Sequence, residues 1–248
     1  MYTDPDGRAP IIIPIIIGAL KVIDYVWTAW DIYNSTKTFM NPKASTIDRA
    51  IAGIDLILTG TMELAEPDDY SPVSLPIDDL LRKGTTKELK KLAKREGLPG
   101  LMKGIKEAFG DNAPKVVKQL YDAGLFREIM SVKDWNKALK GLKGKELQVH
   151  HVIPVAWAKD FFRDVIVDFD EVPGAVLDFV THSGKGTGIT APLEALRKQV
   201  TEELAEKGIE KGTKEAREYA LDALSKFYTD RKMEDMANAV IDFFKKQQ

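Results

Sequence analysis

The chain has 248 residues, enough for one large domain or two small ones and for a buried core. Hydrophobic residues make up 44% and charged residues 30% of it, proportions that exclude wholesale disorder, a collagen-like repeat and a polytopic membrane protein. Cysteine is absent, which excludes disulfide scaffolds, thiolate metal sites and cysteine nucleophiles, and the net charge of -2 by itself points to no polyanionic partner.

In chain order, Asp4 and Asp6 precede the apolar run Ile11 to Leu20, where a signal peptide would carry cations, and no small-residue cleavage site follows. That run is about half the roughly 20 residues a membrane-spanning helix needs, so no stable span is expected. From Leu20 onward Ile23, Trp27, Trp30 and Tyr33 keep helical spacing and predict a helix with one buried face. A second apolar helix is expected over Ile47 to Leu64, with Ser45 or Thr46 as its N-cap. Residues 66–79, rich in proline and acids, read as a linker, and the module boundary is placed near Gly84.

Beyond that boundary, short helices are expected over Thr86 to Glu96, Leu101 to Phe109, Pro114 to Leu125 and Trp135 to Leu142, punctuated by Gly97, Pro99 and Gly110. Charge is segregated: residues 83–145 carry +9 between flanks of -6 and -5. Such a block is either a solvated helical surface or a docking face for phosphates, in which Lys140, Lys143 and Lys145 stand nearest the segment that follows. There the period changes, and Glu146 to Pro154 predicts a strand ended by Pro154. Ala175 to Thr181 is a second short extended segment, and helices return over 192–207, 213–228 and 231–246. The expected fold is mainly α with a small β element, in the α+β class.

The chain has only three histidines, His150, His151 and His182. Adjacent residues of a strand point to opposite faces, so the first two put one imidazole on each side of the backbone. One can then bind a divalent ion while the other, unbound, takes a proton from water. Phosphodiester hydrolysis needs both functions, an activated water and a cation on the developing charge. In the turn after His182, Lys185 sits among glycines that could let backbone amides approach a phosphate.

Two stretches resemble known families. Tyr2-Thr3-Asp4-Pro5-Asp6-Gly7 resembles the Y-x-D-P-x-G signature that closes the Rhs/YD-repeat core of bacterial polymorphic toxins, just upstream of a variable toxin region. His150-His151-Val152-Ile153-Pro154 resembles the H-H-x-x-P motif of the HNH, or ββα-metal, endonucleases found as toxin domains. The second resemblance implies that His150 is a metal ligand and His151 the general base, with His182 as a second ligand borne on a helix. The sequence departs from the pattern at two places: no Asn lies between His151 and His182, and Gly186 stands where a further helix-borne His is usual. A third ligand then has to be a carboxylate, with Asp178, Asp170 and Asp168 the nearest, and Mg²⁺, which keeps several waters, tolerates the gap better than Zn²⁺.

Together the resemblances imply residues 1–84 as an Rhs-core tail, apolar pretoxin module and acidic linker. They imply residues 85–248 as an HNH-like nuclease toxin domain: a basic helical part 85–145, a His-containing ββα-metal-like core 146–190 and C-terminal helices 191–248. They further imply a divalent cofactor (Mg²⁺ first, then Zn²⁺, Ni²⁺ or Mn²⁺), DNA as substrate with RNA as the rival, Lys185 and the three lysines above as phosphate contacts, a delivery shell and secretion machinery, a cognate immunity protein, and action in the cytoplasm of a target cell. A contrasting expectation, from the Ile-rich segment alone, is a non-enzymatic toxin that permeabilises membranes.

Overall fold

The computed structural model describes residues 30–59, 79–142 and 146–246, with only the backbone of 79–83. The Ile-rich run, the residues resembling an Rhs junction, the proline-rich linker, Lys143 and Lys145 lie outside them. The chain divides into two compact units, residues 1–97 and 98–248.

In the first unit, residues 30–39 are helical (α1) and are followed by α2 (Thr46–Leu58) and the start of α3 (Asp79–Phe109). Ser45 is the N-cap of α2: its hydroxyl accepts the Asp48 N–H at 3.1 Å, supplying one of the partners a helix start lacks. Every residue from Ala50 to Leu58 is buried, including Asp55, whose carboxylate accepts hydrogen bonds from Ser35 Oγ at 2.6 Å and Thr86 Oγ1 at 3.3 Å. As expected, the helical stretch α3 breaks at Gly97, whose φ of 64° and ψ of -144° are not helical and suit glycine, so that one helix ends there and another begins beyond it. Pro99 then lies in the first turn after the bend, where its missing N–H leaves no helical bond unmade. Among the described residues, no helix is long and apolar enough to cross a membrane.

The second unit begins with the end of α3, whose Leu101, Met102 and Ile105 are fully buried. It continues through α4 (Ala113–Asp122), β1 (Met130–Ser131), α5 (Val132–Ala138), β2 (Leu147–His151), α6 (Val155–Phe161), β3 (Pro173–Asp178), α7 (Phe179–Ser183), α8 (Thr190–Glu206), α9 (Lys214–Asp230) and α10 (Glu234–Lys245). Among the described residues the protein is thus mostly helical with one small sheet, as its sequence pattern predicts. The sheet is antiparallel in the order β1-β3-β2, and its register sets His150 opposite Ala175 and His151 opposite Gly174. Gly174 is where β3 crosses the start of α5: a Cβ there would lie 3.0 Å from the Val132 Cα.

The core of this unit gathers on α6. Trp157, Phe161 and Phe162 pack with Leu193 and Val200 of α8, Ala220 and Leu224 of α9, and Val240 and Phe244 of α10. The Phe162 and Phe244 rings lie 4.6 Å apart. Each such fully buried side chain contributes about 1.5–3 kcal/mol from apolar burial. This packing holds α6, the continuation of β2, against the C-terminal helices.

Candidate functional site

Strand β2 ends at His151, the chain bends over residues 152–153, and Pro154 caps α6. Strand β3 passes into α7 without a loop because Asp178 caps it, accepting from Thr181 N at 2.8 Å and Thr181 Oγ1 at 2.9 Å. The Tyr121 hydroxyl of α4, beneath the Arg127 guanidinium, accepts the Asp178 N–H at 3.2 Å and fixes that junction. His182 follows on α7, within reach of the end of β2.

All three histidines consequently line one cavity of about 220 Å³, together with Thr190, Glu194 and apolar side chains that include Trp157 and Leu193. The His150 and His182 rings meet edge to face, with centroids 5.2 Å apart and planes at 72°. His150 and His151 both line this cavity and differ in burial. His150 is only 5% exposed, whereas His151 is half-buried.

Hydrogen bonds orient two of the rings. His150 Nε2 lies 2.9 Å from the Tyr228 hydroxyl, which donates to the Val152 carbonyl at 2.8 Å. His182 Nδ1 lies 2.5 Å from Ser183 Oγ, which reaches Gln148 Oε1 at 3.4 Å, and Thr190 Oγ1 donates to the His182 carbonyl at 2.6 Å.

Burial favours the neutral form of all three rings, and neighbouring imidazoles add to it at His150 and His182. Desolvation, then the proximity of His182 and His151, pushes His150 down to about 3. Desolvation lowers His151 as well, against the opposing pull of Asp170, and desolvation followed by the charge of His151 lowers His182. Neutral imidazoles keep a lone pair at neutral pH, so each can accept a proton or bind a cation.

The other sequence-derived candidates stand apart from this cavity. Asp178 does not line it: burial raises its carboxyl, but the two bonds from Thr181 outweigh that and hold it below the usual carboxylate range, in a capping role. Lys140 and Lys185 are exposed and line no part of the cavity. Of the glycine amides beside Lys185, the Gly184 N–H donates to the Val180 carbonyl at 3.0 Å and the Gly188 N–H to the Gly184 carbonyl at 2.8 Å. Gly184 and Gly188 are there for closeness: a Cβ on Gly188 would lie 2.7 Å from the Gly184 nitrogen.

Sequence reasoning missed Tyr228, Thr190, Ser183 and Glu194. Tyr228 lies on α9 at an ordinary core position, and nothing in the spacing of its neighbours marks it as polar machinery. Glu194 is engaged by Arg197, with bonds of 2.6 and 2.9 Å, and Arg197 also grips Asp160 on α6. The Arg197 hydrogen bond holds the Glu194 carboxyl below its ordinary range.

Whether the cavity suits a metal follows from its donors. Among the described residues no three His, Asp or Glu side chains are grouped so as to hold an ion together. The His150 and His182 pair is the nearest approach to a site, with imidazole nitrogen and no unengaged carboxylate. That donor set fits Zn²⁺ or Ni²⁺ with water completing the shell, and suits Mg²⁺ and Mn²⁺, which favour oxygen ligands, less well. No family model matches the sequence, and no curated protein or solved structure is significantly similar to it.

Proposed function

We propose that the second unit is an HNH-like, metal-dependent endonuclease that hydrolyses DNA, and that the chain is the toxin-bearing part of an Rhs-type polymorphic protein with a cognate immunity partner. The observation that carries the reading is the convergence of the chain's only three histidines on one cavity. The order of elements supports it: two antiparallel strands, the first ending in the His pair and the second running directly into the helix that bears His182. This is the strand-strand-helix arrangement that the H-H-x-x-P resemblance implies.

The roles follow from the environments. His151, half-buried and neutral, is open to water and a phosphodiester, as His182 is, and of the two it is the one to which the H-H-x-x-P resemblance gives the proton of the attacking water. His150 and His182 would hold a divalent ion, and His150, sealed on one side by Tyr228, is the better positioned to be a fixed ligand. When bound, the ion supplies the positive charge that phosphoryl oxygens need as negative charge develops on them. Mg²⁺, the first expectation from sequence, yields here to Zn²⁺ or Ni²⁺ because no unengaged carboxylate reaches the pair.

The test is plasmid nicking by the purified chain with each ion in turn, with a chelator control. Nicking that needs an ion and disappears in His151→Ala supports the reading. Cleavage of RNA with plasmid left intact would transfer the substrate to RNA. No cleavage of either nucleic acid with any of the ions overturns it.

A further inference from the structure

We propose that Tyr228 is a positioning residue that holds His150 in the Nε2–H tautomer, so that Nδ1 is the nitrogen His150 offers to an occupant of the cavity. The argument counts protons. A carbonyl oxygen only accepts, so the 2.8 Å bond between the Tyr228 hydroxyl and the Val152 carbonyl uses the single hydroxyl proton of Tyr228. The Tyr228 oxygen is left with lone pairs alone. Its 2.9 Å contact with His150 Nε2 is then a hydrogen bond only if that nitrogen carries a proton. A neutral imidazole has one ring proton, so Nδ1 keeps its lone pair.

Two further observations support each step. Tyr228 is fully buried, and burial pushes its hydroxyl far above the ordinary range, so the proton that meets Val152 is always present. His150 is almost as buried, and its ring meets that of His182 edge to face, so that the Tyr228 contact is made away from solvent. The contact also ties together distant parts of the unit: α9 reaches the end of β2 and the carbonyl at the bend that follows it. The C-terminal helices thus take part in the site as well as in the core. Partners that set the tautomer of a ligand imidazole typically change metal affinity by tenfold to about a hundredfold when removed.

The tautomer stands on geometry alone, whereas the statement that an ion meets Nδ1 rests on the function proposed above. One experiment reads both. The full chain, labelled with ¹⁵N at its histidines and freed of ions, is examined at neutral pH by long-range imidazole ¹⁵N–¹H correlation, and Zn²⁺ binding is measured by calorimetry. The expected spectrum has His150 as Nε2–H. In Tyr228→Phe, which keeps the ring and removes the hydroxyl, the Nδ1–H form enters and Zn²⁺ binds about tenfold to a hundredfold more weakly. His150 found as Nδ1–H in the unmodified protein overturns the proposal, as does an unchanged tautomer in a folded Tyr228→Phe. Should that variant fail to fold, the unmodified protein's spectrum decides. A protein with His150 as Nε2–H that takes up no Zn²⁺ upholds the tautomer and removes the ion ligand from the proposed function.

Discussion

The ring of His182 stands edge-on to that of His150, 5.2 Å between centroids, because β3 passes straight into α7 at the Asp178 cap and so brings the helix to the end of the neighbouring strand. With His151 these rings form a cluster in which His151 opposes the protonation of both others and His182 opposes that of His150. A bound cation and an added proton therefore compete for the same lone pairs.

His151→Ala should leave the fold intact and remove the proton acceptor. The expected loss in nicking rate is about 10²- to 10⁴-fold, the usual contribution of a positioned acid or base. The rate is compared at saturating ion with Zn²⁺ binding measured alongside. Unchanged affinity together with a lost rate is expected, and a variant that nicks at the original rate would remove His151 from the chemistry.

Stability should fall as the solution is acidified below neutrality. The folded protein holds His150 near 3, while the unfolded chain protonates it near the ordinary value of 6.5. Between these values the unfolded state binds more protons, so stability is fully present above about 6.5 and is lost as pH falls. One group contributes a slope of at most about 1.4 kcal/mol per pH unit. Denaturant midpoints between pH 7 and 4.5 should drop steadily, and His150→Gln should flatten the curve. An equally steep curve in the variant would assign the dependence to other groups.

Gly174→Ala should destabilise the second unit. The new methyl would meet the Val132 Cα and Cγ2 at 3.0 Å, and the first of these is backbone that cannot swing away. Overpacking of this kind costs about 1–3 kcal/mol. Chemical unfolding measures it, and a variant as stable as the parent would show that the crossing of β3 and α5 has slack.

DNA binding should weaken as salt rises, because neutralising phosphates releases counterions. Replacing Lys140 and Lys185 together by Gln should lower affinity at low salt and reduce the slope of log affinity against log salt by about 2 if both touch phosphate. An unchanged slope would return both exposed lysines to the solvated surface. Binding is read by fluorescence anisotropy in chelator, so that cleavage does not intervene.

Much of the helical scaffold is legible in sequence. The α2 cap at Ser45, the bend at Gly97 and the three C-terminal helices all follow from local residue types, since caps, glycine and apolar periodicity act over a few residues. Elements below about two turns show no period: β1 and α6 were missed, and α7 was expected only from the H-H-x-x-P resemblance. Trp157 makes α6 a core helix through contacts with α8, and Asp178 makes α7 through a cap that reads in sequence as a candidate ligand.

For the site the division is similar. Sequence alone singles out His150, His151 and His182, because only three histidines occur and two are adjacent in a β-branched stretch, and it determines that any ion must be held without thiolate. Tertiary structure decided that the three rings share a cavity, that Asp178 and Glu194 are engaged elsewhere, and that Tyr228 faces His150. Those facts depend on which surfaces the strand crossing and the helix packing bring together. No local pattern encodes them, because a hydrogen bond between β2 and α9 has no signature in the sequence of either.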